Sequence, residues 1–484
     1  MKLAHPLLFV LFLLLSAFTE VRPYGSMREA LACLPVLLLA AAGLFMIFRL
    51  ITRQAGKAAL LATVLLVFLG LSGELAGAMA KAFKGSDFPL LAAGRWSLAL
   101  LAVPPLILMA LIFRAKRDLG AVNQAVTMAM TALLLMTAAT PLLDRRDAAW
   151  RAAVAPPTVR LETPGRPPDI YYLVLDSYTS LDYLRDYWGY DSADLRRFLR
   201  DTGFQTAPGA RSEYKCTTFC LASRLNMDYP PPVFCDWDER YTRNVMVRII
   251  EDSAAPAMLK AAGYRIVNLS MMSLGEAEPR YPITTFLCFS SVNKMLRNRS
   301  FLSAVKLAKT KVKTSSQGLA ARKRLPFSDI EAAAREPSDQ PRFVFSHLMI
   351  SHAPMVFRRD GSVHPITQAG SASNGDYLDQ TIYATHLLTQ TVARILAHAS
   401  QPPVIIIQGD HGFRYFQGTE EQRRHESYGM LNAMLIPGLT NAAELEALPP
   451  VNTFRLVFNH VFNAGLPYLT NSAVKMIERD IGDD

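Results

Sequence analysis

The chain's 484 residues predict an α-helical membrane domain followed by an α/β domain with a mainly parallel central sheet. Three observations carry that expectation. Apolar residues make up 51% of the chain and crowd into its first third, in stretches of membrane-spanning length. Beyond residue 168 the apolar runs shorten to strand length and alternate with helical patterns, the signature of a doubly wound sheet. Acids and histidines then follow several of those runs, where open parallel sheets bind ligands, beyond the carboxyl ends of their strands.

A lipid core demands about 20 mostly apolar residues per helix, because backbone polar groups find no partner in hydrocarbon. Stretches 3–18, 30–51, 58–80, 98–113 and 121–143 meet or approach that length, the first and fourth being short. No small-x-small cleavage site follows the first, as one would after a signal peptide. Lys2, Arg49, Arg53, Lys57, Arg114, Lys116 and Arg117 fall on one side of five such spans. Arg22, Arg28, Lys81, Lys84 and Arg95 fall on the other. This bias favours a cytoplasmic N-terminus, and five spans then put everything after 143 outside. Glu74, near the outer end of the third span, meets either a lipid headgroup or interfacial water. Residues 144–168 turn charged and then rich in Pro and Ala, a linker stiffened by proline. The division is thus a membrane domain over 1–143, a linker over 144–168 and a second domain over 169–484.

The net charge of +10 comes from scattered basic residues without any nucleic-acid-binding signature, so nucleic acid is excluded and anionic lipid is the better partner. A basic run through Lys306, Lys309, Lys311, Lys313, Arg322, Lys323 and Arg324 lies on a membrane surface or forms a solvated insertion.

In the second domain, runs 169–175, 264–269, 343–348 and 404–407 are apolar on both faces, as strands inside a parallel sheet are. Helical patterns span 192–201, closing on Gly203, 253–262, closing on Gly263, and 377–398. Asp176 follows the first strand, His347 ends a middle one, and Asp410-His411 follow another. A lone Asp at a strand end is commonly a cap. Several at one sheet edge suit zinc, or manganese or magnesium where oxygens dominate.

Four segments in order then resemble a known group. They are Pro168-Asp-Ile-Tyr-Tyr-Leu-Val-Leu-Asp176; Ser212-Glu-Tyr-Lys-Cys-Thr217 leading into Leu221-Ala-Ser-Arg-Leu-Asn-Met227; 347–354; and 404–412 with Gln-Gly-Asp-His-Gly. Together they resemble the motifs of sulfatase-like proteins of the alkaline phosphatase superfamily, over about residues 168–440. The resemblance points to the membrane-anchored branch that includes lipoteichoic acid synthases and phosphoethanolamine transferases. It implies a metal-dependent phosphoryl (phospho-alcohol) transferase or phosphoester hydrolase at the outer face of a bacterial inner membrane, multi-pass, with its catalytic domain facing the periplasm or exterior. It implies a divalent metal ion, Zn or Mn with Mg as a further option, and a membrane lipid with a lipid-linked or envelope-glycan substrate as partners.

By that resemblance Asp176 is the first metal-binding acid, Thr217 the nucleophile and a metal ligand, and Asp410 and His411 the remaining ligands. His352 contacts the substrate phosphate or the leaving group. His347 is either a further site residue or a buried strand-end histidine. Thr218 rivals Thr217 as nucleophile, although the spacing to Leu221-Ala-Ser favours Thr217. Arg414 either holds a phosphate bidentately or forms a surface salt bridge. Asp182 is a further acid for a second metal, and His425 and Glu426 receive no role.

The chain also departs from the resemblance. Neither Cys216 nor Cys220 is followed by the Pro and Arg that formylglycine maturation needs, so sulfate ester hydrolysis is not expected. Glu213 and Cys216 replace other residues around the nucleophile, which keeps open a non-catalytic binding or sensing protein on the same fold. Transport by the spans is disfavoured by their few polar residues. Outside the cytoplasm, Cys216, Cys220, Cys235 and Cys288 fit two disulfides in any of three pairings, and one at Cys216 or Cys220 would pin the nucleophile loop.

Overall fold

A computed structural model describes residues 3–21, 27–82, 94–143, 159–162, 164–231, 239–281, 292–301 and 315–470, with 154 and 157. Cys235, Cys288, Lys306, Lys309, Lys311, Lys313 and most of the expected linker lie outside them. The chain forms two compact units. The first is Met1–Ala149 with Cys288–Lys313, and the second is Trp150–Leu287 with Thr314–Asp484.

The first unit contains α1 (His5–Val21), α2 (Met27–Thr52), α3 (Ala55–Ala82), α4 (Gly94–Arg114) and α5 (Gly120–Leu143). Stretches Ala30–Thr52, Ala55–Met79 and Gly120–Thr140 are long and apolar enough to cross a membrane, while α1 and α4 carry shorter apolar stretches, as their sequences suggest. Leu31, Leu39, Leu50, Leu106 and Met136 point outward, a pattern suited to a lipid solvent. Polar residues of these helices pair with one another. His5 Nδ1 lies 2.6 Å from Thr63 Oγ1 and its Nε2 3.0 Å from Asn123 Oδ1, tying α1 to the first parts of α3 and α5.

A helix from the far side of the chain completes this unit. Val292–Arg299 packs against α1 and α3, with Val292 and Met295 in a cluster with Leu14, Ala17 and Ala30. Arg299 donates to Ser16 Oγ at 2.8 Å and Glu20 Oε2 at 2.6 Å, and its Nε lies 3.3 Å from Glu74 Oε2. Glu74 therefore meets a guanidinium. Hydropathy does not reveal this insertion, because eight amphipathic residues fall far short of a span.

The second unit is built on a six-stranded sheet. Its strands are β1 (Ile170–Leu175), β2 (Gln205–Thr206), β3 (Arg265–Leu269), β4 (Arg342–Leu348), β7 (Val404–Gly409) and β8 (Asn432–Leu435), in the order β2-β8-β7-β1-β4-β3. The strands β5 (Met355–Phe357) and β6 (Val363–Thr367) form a separate antiparallel pair. β3, β4, β1 and β7 are parallel, while β8 and β2 add an antiparallel edge. The four parallel strands are those the apolar runs mark. β2 and β8 escape sequence analysis because two and four residues give no usable period, and Asn-Ala-Met-Leu lacks β-branched side chains.

Every residue of β1, β4 and β7 is buried. Ile170, Tyr172 and Val174 enter one core layer and Tyr171, Leu173 and Leu175 the other, the period of two that a strand imposes. The register matters most for function. Leu175 pairs with both Leu348 and Gly409, so Asp176 and Asp410 leave adjacent strands at one level, and Val174 pairs with His347. The closing glycines fall where sequence places them: Gly203 and Gly263 follow helices Ala193–Asp201 and Ala254–Ala261 at φ +86° and +89°.

Close backbone approach at the end of β7 leaves no room for a side chain. A Cβ on Gly409 would sit 2.2 Å from the Tyr178 carbonyl oxygen. Gly409→Ala is expected to cost at least ~3 kcal/mol or prevent folding, seen as a lowered Tm or loss of soluble, monodisperse protein.

Candidate active site

The sheet edge delivers the acids, and the turn after β1 orients them. Ser177 adopts a left-handed backbone (φ +60°), which a non-glycine residue holds only under constraint. The constraint is visible. Tyr377 Oη donates to the Ser177 carbonyl at 2.7 Å and accepts from the Thr179 N–H at 3.2 Å. In this turn the Ser177 N–H donates to Asp410 Oδ1 at 2.8 Å, and the His411 N–H donates to the same oxygen at 2.8 Å. Ser177 Oγ donates to Asp176 Oδ1 at 2.9 Å.

Thr217 opens helix Thr217–Asn226, whose N-cap is Cys216. Its Oγ1 donates to Asp410 Oδ2 at 2.6 Å and lies 3.4 Å from Asp176 Oδ2. Thr218 points elsewhere, buried with Oγ1 3.5 Å from Cys216 Sγ. Of the two threonines, Thr217 alone joins the acids. His411 Nδ1 donates to the Gly412 carbonyl at 2.8 Å, and its Nε2 lies 3.4 Å from Asp410 Oδ2. Asp176, Thr217, Asp410 and His411, the sequence-derived set, thus converge.

His347 joins them. One ligand atom each from Asp176, His347 and Asp410 lies within 4.8 Å of the others, and all three residues are buried. His347 Nε2 is 3.1 Å from Asp176 Oδ2, yet neither ring nitrogen is aligned with a hydrogen-bond partner. The short distance records a close charge contact without hydrogen-bond geometry. Burial pushes the Asp176 carboxyl up, but the His352, His347 and His411 rings outweigh it and hold it well below the usual range. Burial likewise works against charge on His347, while Asp176 raises its pKa. Two carboxylates packed out of water around one hydroxyl, with an imidazole lacking a hydrogen-bond partner, form a donor set that could hold a divalent cation. Asp182 stands apart, paired with Arg185 at 3.2 Å and Arg196 at 3.3 Å.

His352 lies at the solvent side, 29% exposed, with Nε2 3.8 Å from Asp176 Oδ1 and Nδ1 against the Ala353 carbonyl. Burial pushes its pKa down. Its loop is clamped by residues that sequence analysis misplaces. Lys323 and Arg324 belong to no exposed basic insertion, because both are bound within helix Ser316–Arg335 and its neighbours. Lys323 is 3% exposed and donates to the Met349 carbonyl at 2.7 Å and to the His352 carbonyl. Burial pushes its ammonium down to about 7. Arg324 donates to Tyr383 Oη at 2.8 Å and to the Gly361 carbonyl at 2.6 Å. The signal was in the sequence: Leu319, Ala320, Phe327 and Ile330 share Lys323's helical face.

Glu213, the departure around the nucleophile, has a structural partner. Arg224, on the Thr217 helix, donates to the carbonyls of Gly409 at 2.8 Å and Asp410 at 2.9 Å, and Glu213 lies 3.5 Å from it as its buried counter-charge. The guanidinium therefore fastens the Thr217 helix to the Asp410 loop. The expected disulfide at this loop is not formed. Cys216 and Cys220 are free thiols, with Cys220 Sγ donating to the Tyr214 carbonyl at 3.1 Å. Glu426, without a role in the sequence, accepts from Thr179 Oγ1 at 2.8 Å. His425 Nδ1 faces Tyr187 Oη at 3.2 Å.

No family model and no curated protein matches the chain. Among solved structures it is similar to the C-terminal periplasmic domain of EcEptC from Escherichia coli in complex with Zn, at 12% identity and a TM-score of 0.39, covering 65% of this chain and 87% of that one. It is similar to the lipoteichoic acid synthase LtaP from Listeria monocytogenes, at 14% identity and 0.36, covering 59% and 70%. It is also similar to the integral membrane protein lipooligosaccharide phosphoethanolamine transferase A (EptA) from Neisseria meningitidis, at 12% and 0.36, covering 89% and 88%. Likeness at this level leaves the function to be read from the site itself.

Glu213→Ala strands a buried guanidinium and is expected to cost about 3–5 kcal/mol, measured by denaturant or thermal unfolding. For Glu426, burial pushes the carboxyl from 4.5 up to about 8. The fold thus favours its protonated form, and that stabilisation is full below about pH 4.5 and lost as pH rises through 8. Wild-type Tm is expected to fall over this window by more than that of Glu426→Gln, measured in parallel pH series.

Proposed function

We propose that the chain is a membrane-anchored, metal-dependent phosphoryl (phospho-alcohol) transferase or phosphoester hydrolase using Thr217 as its nucleophile. The observation that carries this reading is the 2.6 Å hydrogen bond from Thr217 Oγ1 to Asp410, at the start of a helix and beside Asp176. Asp176, Thr217, Asp410 and His411, with His347, would hold the cation. A divalent cation bound there lowers the pKa of the threonine hydroxyl and neutralises a phosphoryl oxygen as charge develops.

The chain's own groups supply the rest. Asp410 Oδ2 accepts the Thr217 proton as Oγ1 attacks phosphorus, and the bond to the leaving alcohol breaks. The helix N-terminus faces the developing negative charge. His352, the partly exposed imidazole of the site, contacts the reacting phosphate or the departing oxygen, and Arg414 supplies a guanidinium for a phosphate of the substrate. The product of this half-reaction is a phospho-threonine, released to water or to an acceptor alcohol. Phosphoesters rather than sulfate esters are the proposed substrates, since no formylglycine motif surrounds Cys216. The apolar helices of the first unit support a lipid-linked or envelope-glycan substrate, a bacterial inner-membrane location with five spans, and a second unit facing the periplasm or exterior. The binding or sensing alternative rested on Glu213 and Cys216, and the Arg224 contact gives Glu213 a structural role that leaves Thr217 in place.

The test is intact mass of the purified full chain after incubation with manganese or zinc and phospholipid donors. A phosphoryl-sized adduct is expected in wild type and Thr218→Ala and absent from Thr217→Ala. Absence of both adduct and donor turnover in folded, metal-loaded protein overturns the proposal.

A further inference from the structure

Resting on the phosphoryl chemistry above, we propose that the cleft lined by Arg414 and Arg423 is a second anion subsite, holding a phosphate group of the substrate other than the one that reacts. The cleft has a volume of about 440 Å³, with Tyr415, Phe416, Gln417 and Ala372 among its walls. That volume lies within the range of small-molecule sites.

Several arginines of this unit face acids, as Arg196 does Asp182, Arg280 does Asp329 and Arg359 does Asp379. Among the described residues neither Arg414 nor Arg423 has a carboxylate partner, although both open on one cavity. Two unpaired guanidinium forks facing a shared space match the several oxygens of a phosphate, and like charges placed together favour an anion between them.

The walls are fixed before any ligand arrives. The Gln417 N–H donates to Asn374 Oδ1 at 2.8 Å, Asn374 Nδ2 donates to the Gln417 carbonyl at 3.0 Å, and Gln417 Nε2 donates to the Ala372 carbonyl at 3.1 Å. Phe416 is wedged against Trp188 with ring centroids 4.7 Å apart. These contacts stitch the loop after His411 to the start of helix Asn374–His398. The cleft also adjoins the proposed chemistry, since Arg414 follows His411 by three residues. A ligand holding one phosphate at Thr217 and another here is a phosphate-bearing lipid headgroup or a soluble phosphate ester, and the aromatic wall suits the carbon skeleton between.

The test is calorimetric binding to the full chain in phosphatidylcholine nanodiscs, with metal removed by chelation so that the acid cluster does not compete. The probes are glycerol phosphate and the water-soluble dihexanoyl phosphatidylglycerol. Wild type and Thr217→Ala are expected to bind at least one probe equally, and Arg414→Gln/Arg423→Gln to bind it at least tenfold more weakly. The variant's fold is checked by circular dichroism, and Arg414→Lys/Arg423→Lys is expected to fall between. Tighter binding of the lipid assigns a headgroup, and tighter binding of glycerol phosphate a soluble ester. Failure of both probes to bind wild type, or equal binding by the double glutamine variant, overturns the subsite. Either failure leaves the phospho-threonine result untouched, because that result is read from covalent mass at Thr217.

Discussion

The second unit is organised around one electrostatic conflict: two carboxylates, Asp176 and Asp410, buried side by side around the Thr217 hydroxyl. Such a pair is costly in a dry interior unless hydrogen bonds, imidazoles or a cation offset its charge. Each nearby departure from ordinary structure serves that end. The left-handed turn at Ser177 supplies an N–H to Asp410, the Asp410-His411 peptide supplies another, and three histidines lower the pKa of Asp176.

Around this centre lies a shell of buried groups whose partners are backbone carbonyls. Arg224 grips Gly409 and Asp410, Lys323 grips Met349 and His352, and Tyr377 grips Ser177. A carbonyl held by a buried cation cannot drift without stranding that cation, so these contacts fix the loops more firmly than packing alone. Glu213 belongs to this shell. A residue that looks like a catalytic anomaly in the sequence is the counter-charge of a positioning arginine.

The first unit shows the same economy in an apolar setting. His5, Thr63 and Asn123 satisfy one another, and Arg299 gathers Ser16, Glu20 and Glu74. Polar groups that would be stranded in hydrocarbon become ties between helices, including one helix borrowed from residues 292–299.

The sequence alone determined the two-part architecture, the four parallel strands and the meeting of Asp176, Asp410 and His411 at one sheet edge. These follow from local signals: span-length apolar runs, runs apolar on both faces, and polar residues just past strand ends. Only the tertiary structure decided between Thr217 and Thr218, since adjacent helical residues point about 100° apart and only contact shows which meets the acids. It also decided the places of His347, Lys323 and Glu213. A buried ionisable residue is defined by partners distant in the chain, and here β4 register, a helix face and Arg224 supply them. The free Cys216 and Cys220 and the insertion at 292–299 have the same cause: pairing and docking depend on distances that one-dimensional spacing does not contain.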